Sequence, residues 1–226
     1  MTPSQIGQSI IAFAPAEGPS SAARILRSII GASIDGLGPL LGAKQVAADS
    51  MEEKGDVEAA IDSLITSHIV TAGAQGLMTN VGGIATAILG IPANMGALAI
   101  LHARLSASIA HLRGYDLNDP RTRHAIVATL LGKKIVDDLV CSGKLPGTPL
   151  VLATAPIADP SLELIIAQRV LTALFTSSGG KQAIGLIAKR IPLLGGGVAM
   201  VTDGWNTRAI GTYAKEQFIS RRIVTR

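Results

Sequence analysis

Apolar residues along the chain recur at three- and four-residue spacings, which predicts helices almost throughout. After Asp56, a natural helix cap, Val57, Ile61, Leu64, Ile65 and Ile69 line one face of a helix reaching about Gly73. Upstream, Ala22–Ile30 and Ala43–Glu53 read as short helices joined by a connector rich in glycine (Gly31, Gly36, Gly38, Gly42). Asp119-Pro120 places an acid at the cap and a proline at the first helical position. The helix it starts is expected to run to about Cys141, with Ile126/Val127, Leu130/Leu131, Ile135/Val136 and Leu139/Val140 on its buried side. A Pro-rich link covers 144–158, and Asp159-Pro160 repeats the start signal for a helix to about Thr176. Gly179 and Gly180 end it; a short helix at Lys181–Arg190 and a long one from about Gly197 to Arg222 follow. Period-two alternation is not sustained anywhere, so strands are incidental.

One stretch departs from this pattern. Residues 63–103 contain no Asp, Glu, Lys or Arg. Within it, Leu77–Leu101 is 25 residues long, nominally enough to cross a bilayer. Gly82, Gly83, Gly90, Pro92 and Gly96 interrupt it, however, and Asn80 and Asn94 are polar. Pro92 removes an amide donor and clashes with the preceding turn, so two shorter helices in a hairpin are expected. The expected fold is an all-α, single-domain bundle of roughly seven to nine helices around this apolar hairpin, spanning residues 22–226. Residues 1–21 form a flexible N-terminal arm in this reading.

The helix from Ala93 to Arg113 divides its circumference sharply. Leu98, Leu101, Leu105, Ile109 and Leu112 fall on one stripe, and Gly96, Ala99, Ala103, Ala107 and Ala110 on nearly the opposite one. The small residues let another helix lie close. Arg104, Ser108 and His111 form a narrow polar strip between the two, so Arg104 is expected to be short of solvent. A buried guanidinium needs a carboxylate, carbonyls or an anionic ligand. In the last helix Gly197, Gly204 and Gly211 recur every seven residues, with Arg208 on that face and Asp203 beside Thr207 and Ala214. Two readings follow. Asp203 neutralises Arg104 as a structural pair, or Arg104 and Arg208 grip a phosphate or carboxylate head group while the hairpin holds tails. Asn94, Arg104, Ser108, His111, Asp203 and Arg208 are the candidate ligand-binding residues.

Composition sharpens the picture. Apolar residues make up 48%, charged residues 16% and aromatics only 3%, so the core is built from Leu, Ile, Val and Ala. Mean hydropathy is +0.42, high for a soluble chain without requiring insertion in a bilayer. The net charge of +4 is uneven: the segment from Lys181 onward carries +6 and the rest −2. Lys189, Arg190, Lys215, Arg221 and Arg222 are therefore candidates for an anionic membrane surface or a partner. A solvated helix end with cations matching its dipole explains them equally well. The basic residues have no interleaved aromatics, and nucleic acid is not an expected partner. With Cys141 alone, neither a disulfide framework nor a thiolate metal cluster is expected. The N-terminus lacks the pattern of a secretion signal, so the expected location is the cytoplasm, at the inner face of the membrane.

Four segments together resemble the EcsC protein family: GLMTNVGG at 76–83, IPANMGALAILHAR at 91–104, IAHLRGYDLNDP at 109–120 and GGGVAMVTDGWNTRAIGTYAKEQF at 195–218. The resemblance covers roughly Ala59 to Arg222. Where that family often has an acid near the hairpin proline, this chain has Asn94. The resemblance implies a helical protein linked to a membrane transporter, and it carries over no catalytic residues. Catalytic signatures are likewise missing from the sequence. There is no G-x-S-x-G elbow, no Walker A loop and no H-E-x-x-H among His68, His102, His111 and His124. Asp137 and Asp138 are adjacent on a helix and point about 100° apart, so they do not form a dyad. No cofactor, metal or catalytic residue is expected. The leading expectation is a non-enzymatic, membrane-associated protein that binds lipid or another apolar ligand. The alternatives are a protein–protein module for a membrane transporter or a homo-oligomer, and a cryptic hydrolase.

Overall fold

The computed structural model of the protein describes residues 19–73, 93–170, 172 and 195–221. Within these it is all-α: α1 (Pro19–Asp35), α2 (Ala43–Lys54), α3 (Val57–Gly73), α4 (Ala93–Leu112), α5 (Pro120–Leu130), α6 (Gly132–Cys141), α7 (Pro149–Thr154), α8 (residues 160–170) and α9 (Gly195–Gln217). An isolated bridge between Leu37 and Leu40 is the sole β pairing among the described residues. The expected hairpin turn at Pro92, the helix at Lys181–Arg190, and Lys189, Arg190 and Arg222 lie outside them.

The bundle is organised around α4. All ten residues from Leu101 to Ala110 are buried, and α1, α2, α3, α5 and α9 pack against it. The leucine stripe and the alanine stripe are therefore both core faces. Ala103, Ala107 and Ala110 are fully buried, which lets neighbouring backbones come close enough to enclose the helix. The glycines of α9 serve the same end. A Cβ on Gly211 would lie 2.9 Å from Ile65 Cγ1 of α3 and 3.0 Å from Leu105 Cδ2 of α4. One on Gly204 would lie 3.3 Å from Ile69 Cγ2. Gly204 and Gly211 thus form a seam where α9 lies down on α3 and α4.

Several boundaries differ from the sequence expectation. The helix expected from Pro120 to Cys141 is broken in two, because Gly132 adopts φ +75° between α5 and α6. The left-handed conformation costs glycine little and turns the chain at that point. The Pro-rich link holds one short helix, α7, started by Pro149. The first helix begins at Pro19 rather than Ala22 and runs on to Asp35 rather than Ile30. The last ends at Gln217 rather than Arg222, because Phe218 turns inward and is fully buried. Asp119 caps α5 as expected, accepting a hydrogen bond from the Arg121 amide at 2.9 Å.

An ion-pair chain crosses the outer edge where α3, α4 and α9 meet. Arg113 pairs with Glu58 (Nη1–Oε1 2.5 Å), and Lys215 reaches Glu58 at 3.5 Å and Asp62 at 2.5 Å. Such surface pairs contribute at most about 1 kcal/mol each. They fix Lys215 against the bundle rather than leaving it as a free cation.

Candidate functional site

Among the described residues, Arg104 is the only Lys, Arg, Asp or Glu that is buried; just 8% of it is exposed. It leaves α4 toward the junction of α3 with the loop before α2. Its Nε donates to His68 Nε2 at 3.2 Å, and its Nη1 reaches the Leu41 carbonyl oxygen at 3.4 Å, a weak contact. Among the described residues Nη2 has no hydrogen-bond partner, and no carboxylate lies within ion-pair distance of the guanidinium. Burial pushes the Arg104 pKa down to about 10. No carboxylate offsets this shift.

His68 is held neutral by its two partners. Its Nδ1 lies 2.8 Å from the Leu64 carbonyl oxygen, which can only accept, so Nδ1 carries the proton. Arg104 Nε can only donate, so His68 Nε2 presents a lone pair. Burial, then the nearby Arg104 charge, hold the His68 pKa down to about 3, overcoming the opposing pull of the Leu64 carbonyl. Both ring nitrogens are engaged, so His68 neither shuttles protons nor neutralises the guanidinium. It fixes the plane of the fork and leaves the Nη1/Nη2 edge facing the loop.

That loop is set by glycine. Gly36 adopts φ +90°, and a Cβ there would meet the Leu40 carbonyl oxygen at 2.7 Å. The amides of Leu37 and Leu40 bond each other's carbonyls at 2.9 and 3.0 Å. Gly42 occupies the cap position of α2 in an extended conformation (φ −73°, ψ 163°). A Cβ on Gly42 would press on the Ile34 carbonyl and lie 2.8 Å from the Asp35 carbonyl carbon and 3.0 Å from the Gly36 amide nitrogen. Glycine is therefore demanded by close packing, and the usual Ser, Thr, Asp or Asn cap is sterically shut out. Gly42→Ala should destabilise the protein by about 1–3 kcal/mol, because backbone rather than a flexible side chain has to move. Urea unfolding measures this; an unchanged midpoint would show that the loop relaxes freely.

The expected site residues are only partly brought together. Arg104 and Ser108 both face the start of α2, Ser108 Oγ donating to the Ala43 carbonyl at 3.0 Å. His111 is half-buried on α4, seven residues beyond Arg104. Arg208 is exposed on α9 rather than turned into the glycine seam, so it does not share a grip with Arg104. Asn94 and Asp203 begin α4 and lie within α9 respectively, with side chains outside the described residues. Of the surface candidates, Arg221 is exposed, its guanidinium 5.1 Å from the Tyr115 ring centroid. No family model matches the chain, and no curated protein or solved structure does either.

In the sequence His68 stood out only as one of four histidines without a metal-binding pattern. A signal was present: it is the single ionisable side chain between Asp62 and the end of α3. Two other sets of buried polar groups are neutral and bonded internally, whereas the buried hydroxyls of Tyr115 and Tyr213 have no hydrogen-bond partner among the described residues. His102 Nε2 meets Thr207 Oγ1 at 3.0 Å, and Ser33 Oγ donates to the carbonyls of Ile29 and Ile100. The described residues hold no cluster of three or more His, Cys, Asp or Glu placed to bind a metal. What the arrangement offers is one positive charge with a fixed orientation and, among the described residues, no counterion.

Proposed function

We propose that this chain is a non-enzymatic, membrane-associated protein that binds an anionic amphiphile among its helices, with Arg104 receiving the head group. The observation that carries this reading is a buried guanidinium whose protein partners are a neutral imidazole and one distant carbonyl. Dipoles offset only part of the desolvation cost of a buried charge, which is several kcal/mol. With no carboxylate beside Arg104 among the described residues, a ligand that supplies the negative charge would offset the remainder. None of the described helices is long and apolar enough to cross a membrane. The positive charge concentrated after Lys181 supports the same reading, as does the resemblance to the EcsC family.

Co-sedimentation with phosphatidylglycerol vesicles tests it. Binding should be present at low salt, weaken as salt is added, and be lost with phosphatidylcholine alone. Arg104→Met should lose most of the binding while melting at the same temperature or higher, since deleting an unpaired buried charge removes its desolvation cost. A fall of about 3 kcal/mol or more would make Arg104 structural instead. Absence of binding at low salt would sink the reading. A second reading has one specific observation in its favour. Trp205 (76% exposed) and Val70 (65% exposed) adjoin the Gly204–Ile69 contact and mark a face for a transporter or a second copy. A monomer mass that does not change with concentration argues against the second copy.

A further inference from the structure

We propose that the head-group seat consists of the Arg104 fork together with the uncapped N-terminus of α2, and that it takes a singly charged oxyanion, a carboxylate or phosphodiester, carried on an alkyl chain. The inference rests on the amphiphile reading above and specifies its ligand.

Two independent features converge here. The first is α2 itself, a helix of 12 residues with no side-chain cap and no acid in its first turn. Its leading amides, at Ala43, Lys44 and Gln45, precede the first helical bond, which the Val46 amide makes to Gly42. They carry the positive end of the helix dipole with no side chain to receive them. The packing that excludes a side chain at Gly42 prevents the protein from supplying an internal cap. The second feature is Arg104, nine-tenths buried, whose Nη1 reaches the carbonyl of Leu41, the residue before that cap position. The Ser108 bond to the Ala43 carbonyl holds α4 alongside the first turn of α2. Asp35, the carboxylate nearest this loop in the chain, is exposed and makes no hydrogen bond or ion pair among the described residues.

The charge count selects the ligand. The seat contains one full buried charge, because both nitrogens of His68 are committed and it stays neutral. Lys44 adds an exposed, solvated cation at the rim. A single negative charge balances the buried one, while solvent screens Lys44; a phosphate monoester would bring a second negative charge into a partly desolvated place. With Nε held by His68 and Nη1 in weak contact with the Leu41 carbonyl, Nη2 is left for one oxygen of the ligand and the leading amides of α2 for the other. Leu41, 51% exposed beside the fork, gives the first methylenes of a tail an apolar surface.

The test uses the full chain with decanoate followed by amide NMR, and separately with vesicles of equal phosphatidylcholine and phosphatidylglycerol. Decanoate should shift the Lys44 and Gln45 amides saturably, and decyl phosphate in its dianionic form should bind more weakly. Lys44→Glu should weaken decanoate binding about tenfold or more while leaving the melting temperature unchanged or raised, since an acid in the first turn suits the helix dipole. Unmoved amides, or equal binding by Lys44→Glu, would overturn the seat. If vesicles bind both proteins equally while decanoate does not bind, the membrane reading stands and the seat fails. If decanoate fills the seat but vesicles do not bind, the seat stands and the membrane reading fails.

Discussion

Phe218→Ala should lower the free energy of unfolding by about 3–5 kcal/mol, the range for deleting a fully enclosed aromatic ring. Phe218 has no exposed surface and sits edge-on to Tyr115, ring centroids 5.1 Å apart at 73°. The contact joins the chain leaving α9 to the turn leaving α4. It also sets the next residues, because the Arg221 amide bonds the Arg113 carbonyl at 2.8 Å and the Arg221 guanidinium lies over the Tyr115 ring. Removing the ring therefore opens a cavity and frees a cap on the end of α4. Chemical denaturation measures the loss, and Phe218→Leu should recover part of it. A cost under about 1 kcal/mol would mean that the end of α9 contributes little to the core.

The protein should also lose stability as pH falls below 6.5, and His68 should account for much of the slope. Unfolded, His68 takes up a proton around 6.5; in the bundle it resists protonation down to about 3. Between those values the unfolded chain holds the extra proton, so acid favours unfolding. The stabilisation is whole above 6.5 and is lost on the way down toward 3. Its slope is at most about 1.4 kcal/mol per pH unit. His124, whose pKa burial also lowers, acts with the same sign. The comparison that isolates His68 is His68→Gln, which can still accept from Arg104 and donate to Leu64 but does not titrate. Urea midpoints at a series of pH values should fall more steeply for the native chain than for the variant. Parallel curves would refute the neutral, doubly engaged imidazole.

How legible this was in the sequence depends on the range of each interaction. The all-α class followed from local periodicity, and the start of α5 from Asp119-Pro120, because capping acts within one turn. The burial of Arg104 was also readable, since both flanks of its strip on α4 are committed to packing. Its partner was not. His68 is 36 residues away along the chain, and only the packing of α3 on α4 brings the two together. The role of Gly42 was hidden for a similar reason: one glycine of a connector became essential through the backbone of residues 34–36, which no local pattern specifies. The break at Gly132 was missed because the apolar doublets continue unbroken across it, while a single left-handed residue redirects the axis.

The enclosure of α4 bears on how this protein can change over time. A helix surrounded by five others has no side on which a substitution is cheap. Each alanine between Leu101 and Ala110 is at once a spacer for one neighbour and a floor for the next. Drift will instead collect on α6, where Lys133 and Lys134 pair with Asp137 and Asp138 in water and charge can be traded at little cost. Divergent copies should keep the interior spindle nearly letter for letter and differ on the outer helices.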